Sequence, residues 1–312
     1  MISRRSAFAA LASAAFALSG ISAPALAQAS KLKAVASFSI LADLVHQVGG
    51  DRVEVTALVG PNGDAHVFSP TPADATKVAN AQIVFVNGLG FEGWMNRLVK
   101  SSGSKASIVT ASSGIEALEN EEGHGHGHSH AGHNHGDLDP HAWQDVANAK
   151  IYVVNIRDGL IKADPAGKEA YEANAKSYLA KLGALDAEVK AAIGSIPKDK
   201  RKVITTHDAF GYFTKAYGMK FLAPQGVSTD AEASAADVAK IVTQIKAERI
   251  PAVFLENTSN SQLIEQIAKE SGAKIGGRLY SDALSDQNGP ASTYIDMIRN
   301  NVQALQGALS NS

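Results

Sequence analysis

The 312-residue chain contains no cysteine. That absence excludes disulfides, thiolate metal ligands and a lipid-modified N-terminal cysteine. Long apolar runs are also missing: after the first residues, nothing approaches the ~20 consecutive apolar residues of a membrane helix. Nor is there an excess of basic charge. Without residues 1–27 the chain carries 27 basic and 31 acidic groups, and a net charge of −4 gives no reason to expect nucleic acid as a partner. The His-Glu-x-x-His pattern of many zinc hydrolases is absent as well.

What the chain does have begins with a targeting pattern. Arg4 and Arg5 precede a short apolar stretch, Ala7 to Leu18, and Ala25-Leu26-Ala27 supplies the small residues of a cleavage site. Residues 1–27 therefore read as a cleavable signal peptide, with export to a Gram-negative periplasm; Ser3-Arg4-Arg5-Ser6 also partly matches a twin-arginine signal. The remaining length of about 285 residues exceeds what one core usually holds, so two lobes are expected.

Short β-rich runs alternate with helical patterns, which predicts α/β units with parallel sheets. In the first half, strands are expected at 34–40, 53–59, 83–87 and 107–110, and helices at 41–48, 71–80 and 91–99. In the second half, strands are expected at 202–206, 220–223, 252–256 and 274–280, and helices at 233–248 and 262–271. Between them, Asp164-Pro165 is a helix start, and Tyr171, Tyr178, Leu182, Leu185, Val189 and Ile193 recur at helical spacing until Gly194 and Pro197. The expected fold class is α/β: two lobes, each with a roughly four-stranded parallel sheet flanked by helices, joined by one long rigid helix. The boundaries are an N-terminal lobe 28–164 that includes a His-rich loop 121–138, a linking helix 165–194 and a C-terminal lobe 195–312.

The loudest feature is that loop. His124, His126, His128, His130, His133 and His135 are spaced by small residues, and neutral imidazole is the commonest protein ligand for a borderline metal ion. Flexible ligands must be ordered on binding, so these six read as auxiliary, weak metal sites. Of the other four histidines, His46 lies within a helical pattern and reads as structural or exposed. His66 follows the second expected strand, His141 stands just after Asp139-Pro140 where a helix should begin, and His207 directly follows the strand ending at Thr206. Asp282 follows the last strand. Ligands bind outside the carboxyl ends of parallel strands, and three imidazoles with one carboxylate satisfy tetrahedral Zn2+. The spacing from His66 to His141 equals that from His207 to Asp282, 75 positions in each case, which suggests a duplicated architecture. Asp64, Asp145, Asp208 and Glu256 are candidates to orient the imidazoles, each weighed against an ordinary capping or surface role. Trp143 and Phe210 read either as walls of a cleft or as core.

Gly63-Asp64-Ala65-His66-Val67-Phe68, Asp139-Pro140-His141-Ala142-Trp143, Thr206-His207-Asp208-Ala209-Phe210 and Leu279-Tyr280-Ser281-Asp282 resemble the motifs of zinc- and manganese-uptake solute-binding proteins, the ZnuA-like and TroA-like components of metal ABC importers. The resemblance spans essentially the whole chain after the signal segment. It implies that His66, His141, His207 and Asp282 are the metal ligands, although in some zinc members water or another carboxylate stands in for the last. Manganese and iron members typically carry Glu at the third position, so His207 favours Zn2+ as the transported ion, with Mn2+ as the alternative. The implied protein is a periplasmic zinc receptor, monomeric and not an enzyme, that delivers its ion to an inner-membrane ABC permease. A periplasmic metallochaperone is a further partner it admits. Two other functions compete: a secreted zinc hydrolase with three His ligands and an open position, and a His-rich metal buffer.

Overall fold

The computed structural model describes residues 30–119 and 138–310. The expected signal peptide and the six histidines of the loop lie outside the described residues. The described residues from Lys31 onward pack as one unit. Among the described residues, no helix is long and apolar enough to cross a membrane.

Among the described residues, eight strands form two four-stranded, all-parallel sheets. The first contains β1 (Leu32–Phe38), β2 (Val53–Val59), β3 (Ile83–Val86) and β4 (Ser107–Thr110) in the order β2-β1-β3-β4. The second contains β5 (Lys202–Ile204), β6 (Lys220–Leu222), β7 (Ala252–Glu256) and β8 (Lys274–Leu279) in the order β6-β5-β7-β8. The two orders are the same permutation, as the equal spacing of the candidate ligands suggested. Parallel pairing requires crossovers that cover both faces, so the strands read as near-continuous apolar runs such as Ile83-Val84-Phe85.

Helices α1 (Ser39–Gly49), α2 (Pro72–Asn80), α3 (Met95–Ser102) and α4 (Val146–Ala163) belong to the first half. The helix α2 shows how local the signals are: Thr71 and Asp74 form a reciprocal capping box, with Pro72 at the first helical position. The long helix α5 runs from Lys168 to Ser195 and is preceded by a tighter turn at Pro165–Gly167. It is therefore shorter at its start than the expected continuous helix from 165. Asp164 does not cap it with its side chain; instead one carboxylate oxygen takes Arg52 Nη2 at 2.8 Å and the Tyr171 hydroxyl at 2.7 Å. The 28 residues of α5 span about 42 Å. All six predicted stripe residues, Tyr171 to Ile193, are buried. They join one core that draws on both sheets, while α7 (Ala235–Glu248) and α8 (Gln262–Ser271) cover a smaller cluster around Ile204 and Val253.

Two helices have no counterpart among the sequence expectations, α6 (Gly211–Tyr217) and α9 (Tyr294–Leu309), and the helix expected to begin near His141 starts at Val146 as α4. The apolar residues of α4 include the strand-favouring run Ile151-Tyr152-Val153-Val154, of β-branched and aromatic residues, which fits strand and helix alike until tertiary packing decides.

Candidate metal centre

Each predicted ligand is delivered by a short segment with its own backbone anchors. After β2 the chain turns through Pro61–Asp64, and Asp64 Oδ1 accepts the N–H of His66 at 2.9 Å. Trp94 Nε1 holds the carbonyl of Ala65 at 2.8 Å. His141 precedes a single turn at Ala142–Gln144, after which Asp145 caps α4 by accepting the N–H of Ala147. His207 follows β5. On the approach to Asp282, Asn301 reproduces a strand partner: its Oδ1 accepts the Tyr280 N–H and its Nδ2 donates to the Tyr280 carbonyl, both at 2.8 Å.

A bulge sets the last of these segments. Val253 pairs with Ile275 but Leu255 pairs with Arg278, so Gly276 and Gly277 together face Phe254. A Cβ on Gly276 would stand 2.6 Å from the Phe254 ring, and Gly277 has φ +131°, a conformation that favours glycine. The register beyond it aligns Glu256 with Leu279 and so brings Ser281 and Asp282 beside the end of β7.

The four side chains converge. One ligand atom from each of His66, His141, His207 and Asp282 lies within 4.8 Å of all the others. His66 Nε2 is 3.3 Å from His141 Nε2 and 3.5 Å from Asp282 Oδ2; His141 Nε2 is 3.4 Å from Asp282 Oδ1; His207 Nε2 is 3.0 Å from Asp282 Oδ2. Ligand atoms at the corners of a tetrahedron with bonds of 2.0–2.1 Å stand ~3.3 Å apart. His141, His207 and Asp282 are fully buried, and the His66 side chain is 4% exposed. His207 Nε2 and both oxygens of Asp282, the atoms that face the centre, have no aligned hydrogen-bond partner, although their contacts are short. Buried polar atoms are ordinarily satisfied, so this donor set suits a cation.

The electrostatics fit that reading. Burial raises the Asp282 carboxyl, but the adjacent His207 and His141 outweigh it and hold the group well below the usual carboxylate range. Burial lowers the His207 imidazole, but Glu256 and Asp282 outweigh it and raise it well above the ordinary value. Phe91 packs edge-on against His66 at 4.7 Å, and Trp143 packs against His141 at 5.3 Å. Trp143 is therefore both core and wall, whereas Phe210 is buried against Phe221 as core. On the polar side, a cleft of about 410 Å³ is bounded by Asp64, Thr206 and Thr229.

Of the candidate orienting acids, Asp145 is a helix cap. Asp64 anchors His66 through its backbone and takes the Thr229 hydroxyl at 2.7 Å. Asp208 lines a different cavity, beside β6. Glu256 Oε2 is 2.6 Å from His207 Nδ1. The sequence reading missed the acid behind His141, which is Asp139: its Oδ1 accepts from both the backbone N and Nδ1 of His141, at 2.9 and 2.8 Å. The signal was present in Asp139-Pro140-His141, because an Asx turn two residues upstream brings a carboxylate back to the imidazole. His46 is exposed on α1, far from the strand ends in sequence.

Residues 34–308 match the family model described as zinc-uptake complex component A, periplasmic. The chain is 37% identical to the manganese-binding lipoprotein MntA of Halalkalibacterium halodurans over 279 residues, 89% of each protein. It is 30% identical to the metal ABC transporter substrate-binding lipoprotein SsaB of Streptococcus sanguinis, over 92% of each. Among solved structures, the periplasmic zinc-binding protein TroA from Treponema pallidum superposes with a TM-score of 0.82 at 30% identity, covering 90% of this chain and 99% of that one.

Proposed function

The chain belongs to the family of zinc-uptake complex component A periplasmic proteins, and on that premise we propose that it is a zinc receptor whose ligands are His66, His141, His207 and Asp282. It is a metal-binding solute receptor of an ABC importer and not an enzyme. The observation that carries the finer reading is the convergence of three imidazoles and one buried carboxylate whose ligand atoms all lie within 4.8 Å of one another. Relatives are named for manganese as well as zinc. A third imidazole at position 207, where a carboxylate would better suit manganese, supports Zn2+ here. The ion is cargo, held by a closed ligand set and passed to an inner-membrane permease. Residues 28–164 and 195–312 act as the two lobes, with 165–194 between them, and the exported protein works in the periplasm as a monomer.

The six histidines between 124 and 135 act as a weaker collector of the same ion. Metal analysis of protein purified without chelator, repeated after deletion of residues 124–135, tests both assignments. One tightly held zinc per chain is expected to survive the deletion. Loss of all tight binding would make the loop the main site and sink the receptor reading.

Affinity is expected to rise with pH beyond neutrality. The ion must displace the proton of His207, whose carboxylate neighbours keep it protonated above the ordinary imidazole value of about 6.5. The ion-free protein should move the other way. A raised imidazole contributes stability that is complete below about 6.5 and is lost as pH rises through the folded-state value. Chelator competition and thermal unfolding from about pH 6 to about pH 8 should therefore show tighter binding together with a less stable ion-free form. Affinity that is flat across this range would contradict ligation by His207.

A further inference from the structure

Glu256 is the last residue of β7 and is 3% exposed. In the order β6-β5-β7-β8, β7 lies between the strand that leads to His207 and the strand that leads to Asp282. Its carboxylate divides itself between them. Oε1 accepts the backbone N–H groups of Thr206 at 2.7 Å and His207 at 3.0 Å. Oε2 accepts the Ser281 hydroxyl at 2.9 Å and stands 2.6 Å from His207 Nδ1. One side chain thus touches the backbone under one ligand, the ring of that ligand and the residue before the other.

We propose that Glu256 is a positioning residue that holds His207 and Asp282 as a pair, fixing the His207 proton on Nδ1 so that Nε2 and the Asp282 carboxylate face one ion. The inference rests on the four-ligand reading above. A carboxylate behind a metal-bound imidazole sets its tautomer and raises its basicity. A buried carboxylate is a poor way merely to fill space, because apolar residues of like volume commonly hold a fold as well or better. The bonds from Thr206, His207 and Ser281 also fix the two approaches, so that His207 Nε2 and Asp282 Oδ2 meet at 3.0 Å. Among the described residues the Asp139 carboxylate bonds one ligand, His141; Glu256 serves two ligands on separate segments.

Glu256→Gln tests this in the full-length protein. The amide oxygen can still accept the two backbone N–H groups, while the amide nitrogen presents a donor to Nδ1, which favours the wrong tautomer. Zn2+ affinity by chelator competition is expected to fall about 10- to 100-fold. The visible absorption of the Co2+-loaded protein should change, which a mere loss of ion-free stability would not produce. Ser281→Ala removes only the link towards Asp282 and should lose part of the same affinity. A Gln variant with the parent's affinity and Co2+ spectrum would overturn the proposal. So would a loss of affinity that merely tracks a loss of ion-free stability. Should the Gln variant fail to fold, parental affinity in Ser281→Ala would overturn it. His207→Ala separates the two levels: parental affinity there sinks the four-ligand reading itself, whereas a loss there with no effect of Glu256→Gln sinks only the role of Glu256.

Discussion

Asp282→Asn should weaken zinc binding by about 3–5 kcal/mol, the usual effect of removing one partner from a buried charge pair, or roughly a hundred- to several-thousand-fold in dissociation constant. Asp282 is the only anion among the four proposed ligands, and none of its surface is exposed. Asparagine keeps the shape and one carbonyl oxygen but loses the charge. Its amide nitrogen would also have to face an imidazole nitrogen, since both Asp282 oxygens point at histidines. The ion-free protein should feel the change with a definite pH dependence. A carboxylate depressed by its neighbours contributes stability that is present above about 3.9 and disappears as pH falls through the folded-state value. The parent and the Asn variant should therefore differ in thermal midpoint near neutrality and converge in acid. Chelator competition with Zn2+ reads the first effect and calorimetry the second. An Asn variant that holds zinc as tightly as the parent would take Asp282 out of the ligand set and leave three imidazoles, the number at which a hydrolytic site would again need testing.

The ligands could be found from sequence because each stands where local rules leave it without an ordinary job. His66 and His207 follow short runs rich in β-branched residues, Asp282 follows the glycine-containing β8, and His141 follows an Asp-Pro that stops one element before the next begins. The strands are short and bounded by glycine or polar turns, and β2 to β5 are dense in β-branched residues, so their positions are readable to within a few residues. Their order in the sheets is not, because it depends on crossovers whose lengths are set by packing. The start of α5 moved because Asp164, a good cap by type, is engaged by Arg52, 112 positions away. The same limit hid the supports of the site. Glu256 acts on residues 49 and 50 positions before it and 25 after it, and Asn301 reaches back 21 positions to Tyr280. No periodicity marks such a residue. Asp139 is different: its partner is only two residues away, and it was overlooked because an Asp before Pro reads first as a turn former. What the local rules identify is the set of groups that would touch the ion; what holds those groups in place is a tertiary property.

Trp143 is the residue where that tertiary support should be most costly to remove. It is fully buried and stands two residues after His141. Its ring meets Phe38 at 4.9 Å, Phe91 at 5.0 Å and His141 at 5.3 Å. Its Nε1 donates to the Ser281 carbonyl at 2.9 Å, and its own carbonyl accepts the Tyr294 hydroxyl at 2.7 Å. The side chain thus bridges the segment bearing His141 and the segment bearing Asp282. Trp143→Ala is expected to destabilise the ion-free protein by about 3–5 kcal/mol, because the apolar contacts are lost and a cavity remains among side chains that cannot close it. That is a large part of the roughly 5–15 kcal/mol that holds a typical domain folded. Trp143→Phe should cost far less. It keeps an aromatic ring in the wall, and the Ser281 carbonyl it abandons still accepts Gln144 Nε2 at 2.7 Å, so no buried acceptor is stranded. Urea unfolding followed by far-ultraviolet circular dichroism ranks the three proteins. Zinc affinity should follow the same order, since Ser281 is the residue before Asp282 and any slack there reaches the carboxylate. If the Ala variant unfolds at the parent's midpoint, the junction between the two ligand-bearing halves is carried elsewhere. If it is destabilised yet binds zinc as tightly as the parent, Asp282 is held by Asn301 and Glu256 without help from the aromatic wall.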